Sequence, residues 1–311
     1  MKSIKYLIVI LGQTATGKTD LAIFLAKYFS TSILSADSRQ FYKEMTIGTA
    51  KPSRTELENT KHFFIDTHSV SENYSAGQYE KDALSILNEV FLEKNISILA
   101  GGSGLYIDAV CNGFHPLPSD QKLKQKLEDE LNTKGLAYMQ NLLKEKSPEV
   151  YKSIDIKNTR RLLRALELSI LTNSGASAIK ENIKTARNFK IIKIGLTLDR
   201  QILYERINAR VDEMVLAGLF KEAISLHAFR NNPALQTVGY KEVFDFLEGK
   251  ISKERAIELI KQNTRNFAKR QATWFKKDQN IRWFEPDQKN EILNFIETKI
   301  NFDIDRNKNQ S

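Results

Sequence analysis

The sequence predicts an α/β protein: a parallel sheet core, flanked by helices and interrupted by an all-helical insertion. Three observations carry this. Short apolar runs bounded by turn residues alternate with segments of helical spacing up to residue 118 and again beyond 188, the pattern of βαβ units. One such run, Tyr6 to Leu11, passes straight into a glycine-containing loop and then a helix. Between Ser119 and about Arg187 the chain is charged and helical in spacing, with no plausible strand. The expected organisation is 1–118 as the first part of the core, 119–187 as the helical insertion, and 188–311 as the rest of the core with a basic C-terminal helix.

The loop after the first strand reads Gly12-Gln13-Thr14-Ala15-Thr16-Gly17-Lys18-Thr19. Strand, G-x-x-x-x-G-K-[ST] and helix together form a phosphate-binding loop, which makes the core P-loop NTPase-like. Its glycines let backbone N–H groups converge on one anion. Lys18 adds a positive charge, and the Thr19 hydroxyl can hold a Mg²⁺ bound to the same phosphates. The helix that starts near Lys18 directs its positive end to the site.

A second strand, Ile33 to Ala36, runs into Asp37-Ser38-Arg39-Gln40. Ligands of such sheets bind beyond the carboxyl ends of the strands, so Asp37 is expected on the same rim as the phosphate loop. A helix N-cap is the alternative use of that aspartate. The segment Ile47 to Pro52 reads as a polar loop closed by proline, and His62 to Ile65 as a short strand. Ser75 and Gln78 stand in capping-box spacing at the start of a helix that carries Tyr79, Ala83, Ile86, Leu87 and Val90. His62 and His68 read as structural.

The strand Ile96 to Ala100 ends in Gly101-Gly102-Ser103-Gly104, followed by a helix. P-loop ATPases usually carry there an acid that helps to hold Mg²⁺. Glycines instead permit close approach to the backbone, by a ligand or by a packed element.

Composition shifts after Pro116 and Pro118. In the insertion Lys157, Arg160, Arg161 and Arg164 are expected on one helical face, with Leu162, Leu163, Leu166 and Ile170 able to pack inward. That face is either solvated or anion-binding, and the absence of an interleaved acid before Glu167 favours the second. The core then resumes with the strand Phe189 to Leu196. Asp199 caps a helix bearing Arg206 and Arg210, which ends at Gly218. Two shorter helices, a long helix from about Lys253 to Lys277, a last strand Ile281 to Phe284 and a frayed polar tail from Asn301 complete the chain.

The 47 Lys and Arg against 38 Asp and Glu give +9, compatible with a nucleic-acid partner. No apolar run approaches the roughly 20 residues of a membrane span. Cys111 is the single cysteine, which excludes an internal disulfide. The N-terminal apolar run is too short for a signal peptide, so the expected compartment is the cytoplasm.

With these stretches in matching order, the chain resembles the tRNA dimethylallyltransferases, which prenylate the adenine 3′ of certain anticodons. The resemblance rests on the phosphate loop, Ala36–Tyr42, Ile47–Pro52, Gly101–Tyr106, Arg160–Glu167, Val238–Lys241 and Lys269–Trp274. Gln13 stands where the family usually has Pro, Thr16 where it has Ser, and Lys124 where it has Arg. Lysine keeps the charge but loses the forked hydrogen bonding of arginine.

The resemblance implies dimethylallyl diphosphate as the phosphate ligand and tRNA as acceptor. Residues Gly12, Gln13, Thr14, Ala15, Thr16, Gly17, Lys18 and Thr19 would bind the diphosphate. Lys18, Arg210 and Thr19 with Mg²⁺ would neutralise it as it leaves. Asp37 would take a proton from adenine N6, and Ser103 would line the passage for the base. Contacts to the anticodon stem-loop would come from Asp37, Ser38, Arg39, Gln40, Ser103, Lys124, Arg160, Arg161, Leu162, Leu163 and Arg164. Further contacts would come from Gln236, Thr237, Val238, Gly239, Tyr240, Lys241, Lys269, Arg270, Gln271, Ala272, Thr273, Trp274, Phe275 and Lys276. The expected form is a monomer. A small-molecule kinase using ATP, a non-catalytic RNA-binding module and an adenylate isopentenyltransferase are the competing readings.

Overall fold

The computed structural model describes residues 3–113, 117–172 and 185–308. Pro116, insertion residues 173–184 and the last three residues of the expected tail lie outside them. Two compact units result: Met1–Asn112 with Ala186–Ser311, and Gly113–Thr185.

In chain order the elements are β1 (Tyr6–Gly12), α1 (Lys18–Tyr28), β2 (Ile33–Ser35), α2 (Arg54–Asn59), β3 (His62–Phe63), α3 (Ala76–Glu93), β4 (Ile96–Gly101) and α4 (Gly104–Asn112). The insertion contributes α5 (Gln121–Lys146), α6 (Pro148–Ser153) and α7 (Thr159–Thr172). Then come β5 (Lys190–Leu196), α8 (Arg200–Leu216), α9 (Leu219–Ser225), α10 (Tyr240–Leu247), α11 (Lys253–Phe275), β6 (Arg282–Phe284) and α12 (Lys289–Lys308).

The six strands form one parallel sheet in the order β3-β2-β4-β1-β5-β6. β1 lies inside it and all seven of its residues are buried, as expected of a parallel strand covered by helices on both faces. Its side chains alternate. Leu7, Val9 and Leu11 enter one core with Leu34, Leu99, Tyr79 and Tyr240, whereas Tyr6, Ile8 and Ile10 enter the other with Leu21, Leu25, Ile292 and Ile296.

The polar tail is helical as far as Lys308, contrary to the expected fraying. Ile292, Ile296 and Ile300 recur every four residues and reach the second core. Asp303 pairs with Lys190 and accepts from the Tyr6 hydroxyl, which holds the helix down. α2 was not expected either, although Ser53 and Glu56 form a complete capping box before it. At α3 only half of the expected box forms: Ser75 caps, but Gln78 turns to Asp82.

The insertion packs on its own small core of Leu127, Met139, Leu143, Val150, Leu162 and Leu166. α5 is broken at Gly135, whose φ of 81° suits glycine. Lys157 precedes α7 and lies in a turn where its N–H bonds Asp155, so it does not share the arginines' helical face. Arg187 fixes the returning chain to the core. It donates to the carbonyls of Ala109 and Val110 at the end of α4 and pairs with Glu80. No helix among the described residues is long and apolar enough to cross a membrane.

Candidate active site

β1 ends at Gly12, where an added Cβ would lie 2.5 Å from the Leu196 carbonyl oxygen, so no other residue fits. Ala15 and Gly17 take positive φ, 62° and 83°, and fold the loop back over the start of α1. Lys18 begins that helix, and Thr19 is in its first turn. The Lys18 ammonium and the Thr16 hydroxyl both donate to the Gln13 carbonyl. Burial, together with the nearby Arg210 cation, pushes the Lys18 pKa down to about 7 against the pull of Asp37. Arg210 reaches in from α8 and donates to the Thr14 hydroxyl at 2.9 Å. Burial lowers its pKa too, opposed by Asp37 and Glu213.

Asp37 follows β2 and lines the same cavity as this loop. Its Oδ1 accepts the Arg39 N–H at 2.9 Å in a short turn, and no helix begins there, so the helix-cap alternative falls. Ser103 holds the same turn. Its N–H donates to Ala36, and its hydroxyl accepts from the Ser38 N–H and donates to the Ser38 hydroxyl. Lys18, Thr19, Asp37, Arg210, Gly101 and Gly102 all open onto one cavity of about 650 Å³. The cavity is also lined by Lys51, Arg206 and Phe267, which sequence reasoning did not single out for the site.

The glycines at the strand end have packing reasons. A Cβ at Gly101 would lie 2.1 Å from the Ala36 oxygen, and one at Gly102 would lie 2.3 Å from Gln271 Nε2. Gln271 comes from α11. Its Oε1 accepts the Thr14 N–H at 2.8 Å and its Nε2 donates to the Gly102 carbonyl at 2.9 Å. Gln13, where the resembling family usually has proline, adds a bond from its side chain to the Ala268 carbonyl of the same helix.

The residues expected to meet RNA divide between surface and interior. On α11, Lys269, Arg270 and Thr273 face outward, as does Lys276 just past its end; Ala272 is half-buried, and Gln271 and Phe275 are buried. Trp274 lies against Gly104 and donates to Asp108. In the segment before α10, Gln236 is exposed while Thr237 and Val238 are half-buried; Lys241, in the first turn of α10, is exposed. Gly239 turns the chain at φ 100°. Tyr240 is fully buried, so its side chain offers no surface to RNA. Gln40 spends its amide on Thr49, Ala50 and Ser35, and Arg39 donates to the Pro233 carbonyl.

Within the insertion, Arg160 and Arg161 are exposed and Lys124 is half-buried in the first turn of α5. Leu162 is part of the unit's core and Leu163 packs on it, which removes the Leu162 side chain from any contact with RNA. Arg164 pairs with the buried Glu167 and donates to the Pro118 carbonyl.

One organiser escapes a reading of the sequence. Glu222 on α9 accepts the N–H groups of Thr46, Ile47 and Gly48 and the Tyr240 hydroxyl. Thereby the Ile47–Pro52 loop, which lines the cavity through Ala50, Lys51 and Pro52, is joined to the Val238–Lys241 turn. A single glutamate on a short helix gives no sequence signal for this.

The family profile for IPP transferase matches residues 40–278. The tRNA dimethylallyltransferase of Christiangramia forsetii is 48% identical over 298 residues, covering 95% of this chain and 99% of that protein. That of Cytophaga hutchinsonii is 46% identical over 297 residues, covering 95% and 98%. The crystal structure of the tRNA isopentenylpyrophosphate transferase of Bacillus halodurans superposes with a TM-score of 0.74 at 34% identity, covering 98% of this chain and 99% of that one. A eukaryotic dimethylallyltransferase solved acting on tRNA gives a TM-score of 0.71 at 27% identity, covering 87% and 69%. A phosphate loop and an opposing aspartate on one cavity, within a chain matched over nearly its whole length, lead to one conclusion: this chain belongs to the IPP transferase family.

Proposed function

We propose that the chain transfers the dimethylallyl group of dimethylallyl diphosphate to N6 of the adenine 3′-adjacent to the anticodon, in tRNAs that read codons beginning with U. One observation supports this above the rest: the phosphate loop with its two cations and the Asp37 carboxylate open onto the same cavity.

In the proposed reaction the adenine amine attacks the allylic carbon, the carbon–oxygen bond to diphosphate breaks, and the N6 proton passes to Asp37. An exocyclic amine is a weak nucleophile until that proton leaves, so a carboxylate within reach raises the rate. Lys18, Arg210 and the N-terminus of α1 stabilise charge on the departing diphosphate. The adenine leaves its stack to enter the cavity.

The donor set suits Mg²⁺. The Thr19 hydroxyl is a hard oxygen donor that opens onto the cavity, and a diphosphate bound there would add oxygen donors of the same kind. Bound there, Mg²⁺ would supply further charge neutralisation, with Thr19 as its protein ligand. We assign the anticodon stem-loop to Arg160, Arg161, Lys241, Lys269, Arg270 and Lys276, the reaction to the cytoplasm, and the working form to a monomer.

The deciding experiment is incubation with labelled dimethylallyl diphosphate and unmodified tRNA, followed by nucleoside analysis for N6-isopentenyladenosine. Label transfer to a free adenine nucleotide but not to tRNA, or turnover of ATP independent of prenyl diphosphate, would overturn the reading.

A further inference from the structure

Gln271 belongs to a stretch whose resemblance assigns it to RNA contact, yet it is 6% exposed and its amide is committed inward on both sides. Its carbonyl oxygen takes the N–H of Thr14, inside the loop that would carry the leaving diphosphate. Its NH₂ group donates a hydrogen bond to the Gly102 carbonyl oxygen, at the strand end that lines the cavity with Asp37. The amide accepts from the first and donates to the second; an ionised carboxylate of the same shape has no donor and a hydrocarbon offers neither. The chain has made room for this group, because any side chain at Gly102 would occupy the position of Nε2. Arg210 also holds Thr14, by donating to its hydroxyl, so two elements fix this residue of the loop.

We infer that Gln271 is a positioning residue that sets the distance between the phosphate loop and the Gly101–Gly102 wall, and hence between donor carbon and acceptor amine. The inference rests on the proposed prenyl transfer. In-line displacement needs the reacting atoms about 3–3.5 Å apart, and a misplacement of about 1 Å can cost on the order of 10²-fold in rate. A group acting in this way changes the chemical step while leaving each substrate's separate affinity in place.

The test uses the full chain with Gln271→Met, Gln271→Ala, Gly102→Ala and the Gln271→Ala/Gly102→Ala pair. Single-turnover rates are read at saturating tRNA and dimethylallyl diphosphate, alongside the Kd for tRNA and for inorganic diphosphate. Gln271→Met, which keeps the shape, is expected to lower the rate about 10-fold or more, with both Kd values within about threefold of wild type. Gly102→Ala is expected to lower the rate by displacing the amide. The double variant is then no slower than the slower single one, because both changes break the same link.

A Gln271→Met protein with weakened tRNA binding and an unchanged rate would make Gln271 an RNA contact and overturn the inference. Additive losses in the double variant would overturn it as well. Active-site titration of each variant corrects for protein that fails to fold. Should wild type transfer no prenyl group at all, the proposed reaction fails and the inference falls with it, whereas the variant outcomes above overturn the inference alone.

Discussion

The Tyr240 hydroxyl donates to Glu222 Oε1 at 2.6 Å while the Tyr240 ring lies against Gly48, where any Cβ would come within 2.5 Å of it. Glu222 thus joins two loops that are far apart in sequence, and its negative charge is answered by hydrogen-bond donors alone among the bonds described. Glu222→Gln turns an NH₂ group toward backbone N–H groups and leaves at least one without an acceptor. That substitution is expected to destabilise the chain by about 1–3 kcal/mol, and Tyr240→Phe by about 1 kcal/mol. Denaturant titration measures both.

Asp37 bears on catalysis. Asparagine can accept the Arg39 N–H as aspartate does, so Asp37→Asn is expected to fold and to bind both substrates. It lacks the basicity, and the single-turnover rate is expected to fall about 10²-fold or more. A rate within about threefold of wild type would remove Asp37 as the base.

Lys18 predicts a pH dependence. Its pKa falls from 10.5 to about 7 on folding, chiefly by burial, so between those values the unfolded chain holds a proton that the folded chain lacks. Stability from this group therefore rises as pH goes from about 7 to about 10.5, and the burial cost is felt in full below 7. A bound diphosphate favours the ammonium. Proton uptake on binding inorganic diphosphate is expected to increase above pH 7 and to be absent in Lys18→Met, compared at each pH to cancel the ligand's own titration. Calorimetry in buffers of different ionisation enthalpy measures it.

The basic faces predict salt dependence. Arg161, Lys269 and Lys276 are exposed. Each cation that meets an RNA phosphate is expected, when replaced by alanine, to flatten the slope of log affinity for tRNA against log salt by about 0.7–0.9. Arg164→Ala is expected to act differently, lowering stability because it strips the buried Glu167 of its cation. An unchanged slope in the Arg161, Lys269 and Lys276 triple variant would make these faces merely solvated.

Legibility in the sequence followed locality. The phosphate loop, the strands near it and the Asp199 cap could be read because each is a short-range pattern of turn residues and apolar runs. Asp37 could be assigned to the rim because a βαβ unit fixes which strand ends face the ligand. Glu222, Arg187 and the inward turn of Gln271 could not be read. Their partners lie 174, 77 and 169 residues away, and nothing in the local spacing records them. Gln271 also shows the limit of a motif: Lys269–Trp274 is continuous in sequence, yet helical geometry sends its members to opposite sides. The helical state of the tail could not be read from its own polar residues, because the repeat that anchors the helix, Ile292, Ile296 and Ile300, lies before Asn301.

The two glycines at the end of β4 also constrain what this scaffold can become. An acid installed at residue 101 would drive its Cβ into the Ala36 backbone, and one at residue 102 would expel the Gln271 amide. No single substitution at either place can supply, without such a clash, the carboxylate that phosphate-loop ATPases use beside their metal. A carboxylate at either place therefore requires β4 to be rebuilt together with the element it meets, β2's end for residue 101 and α11 for residue 102.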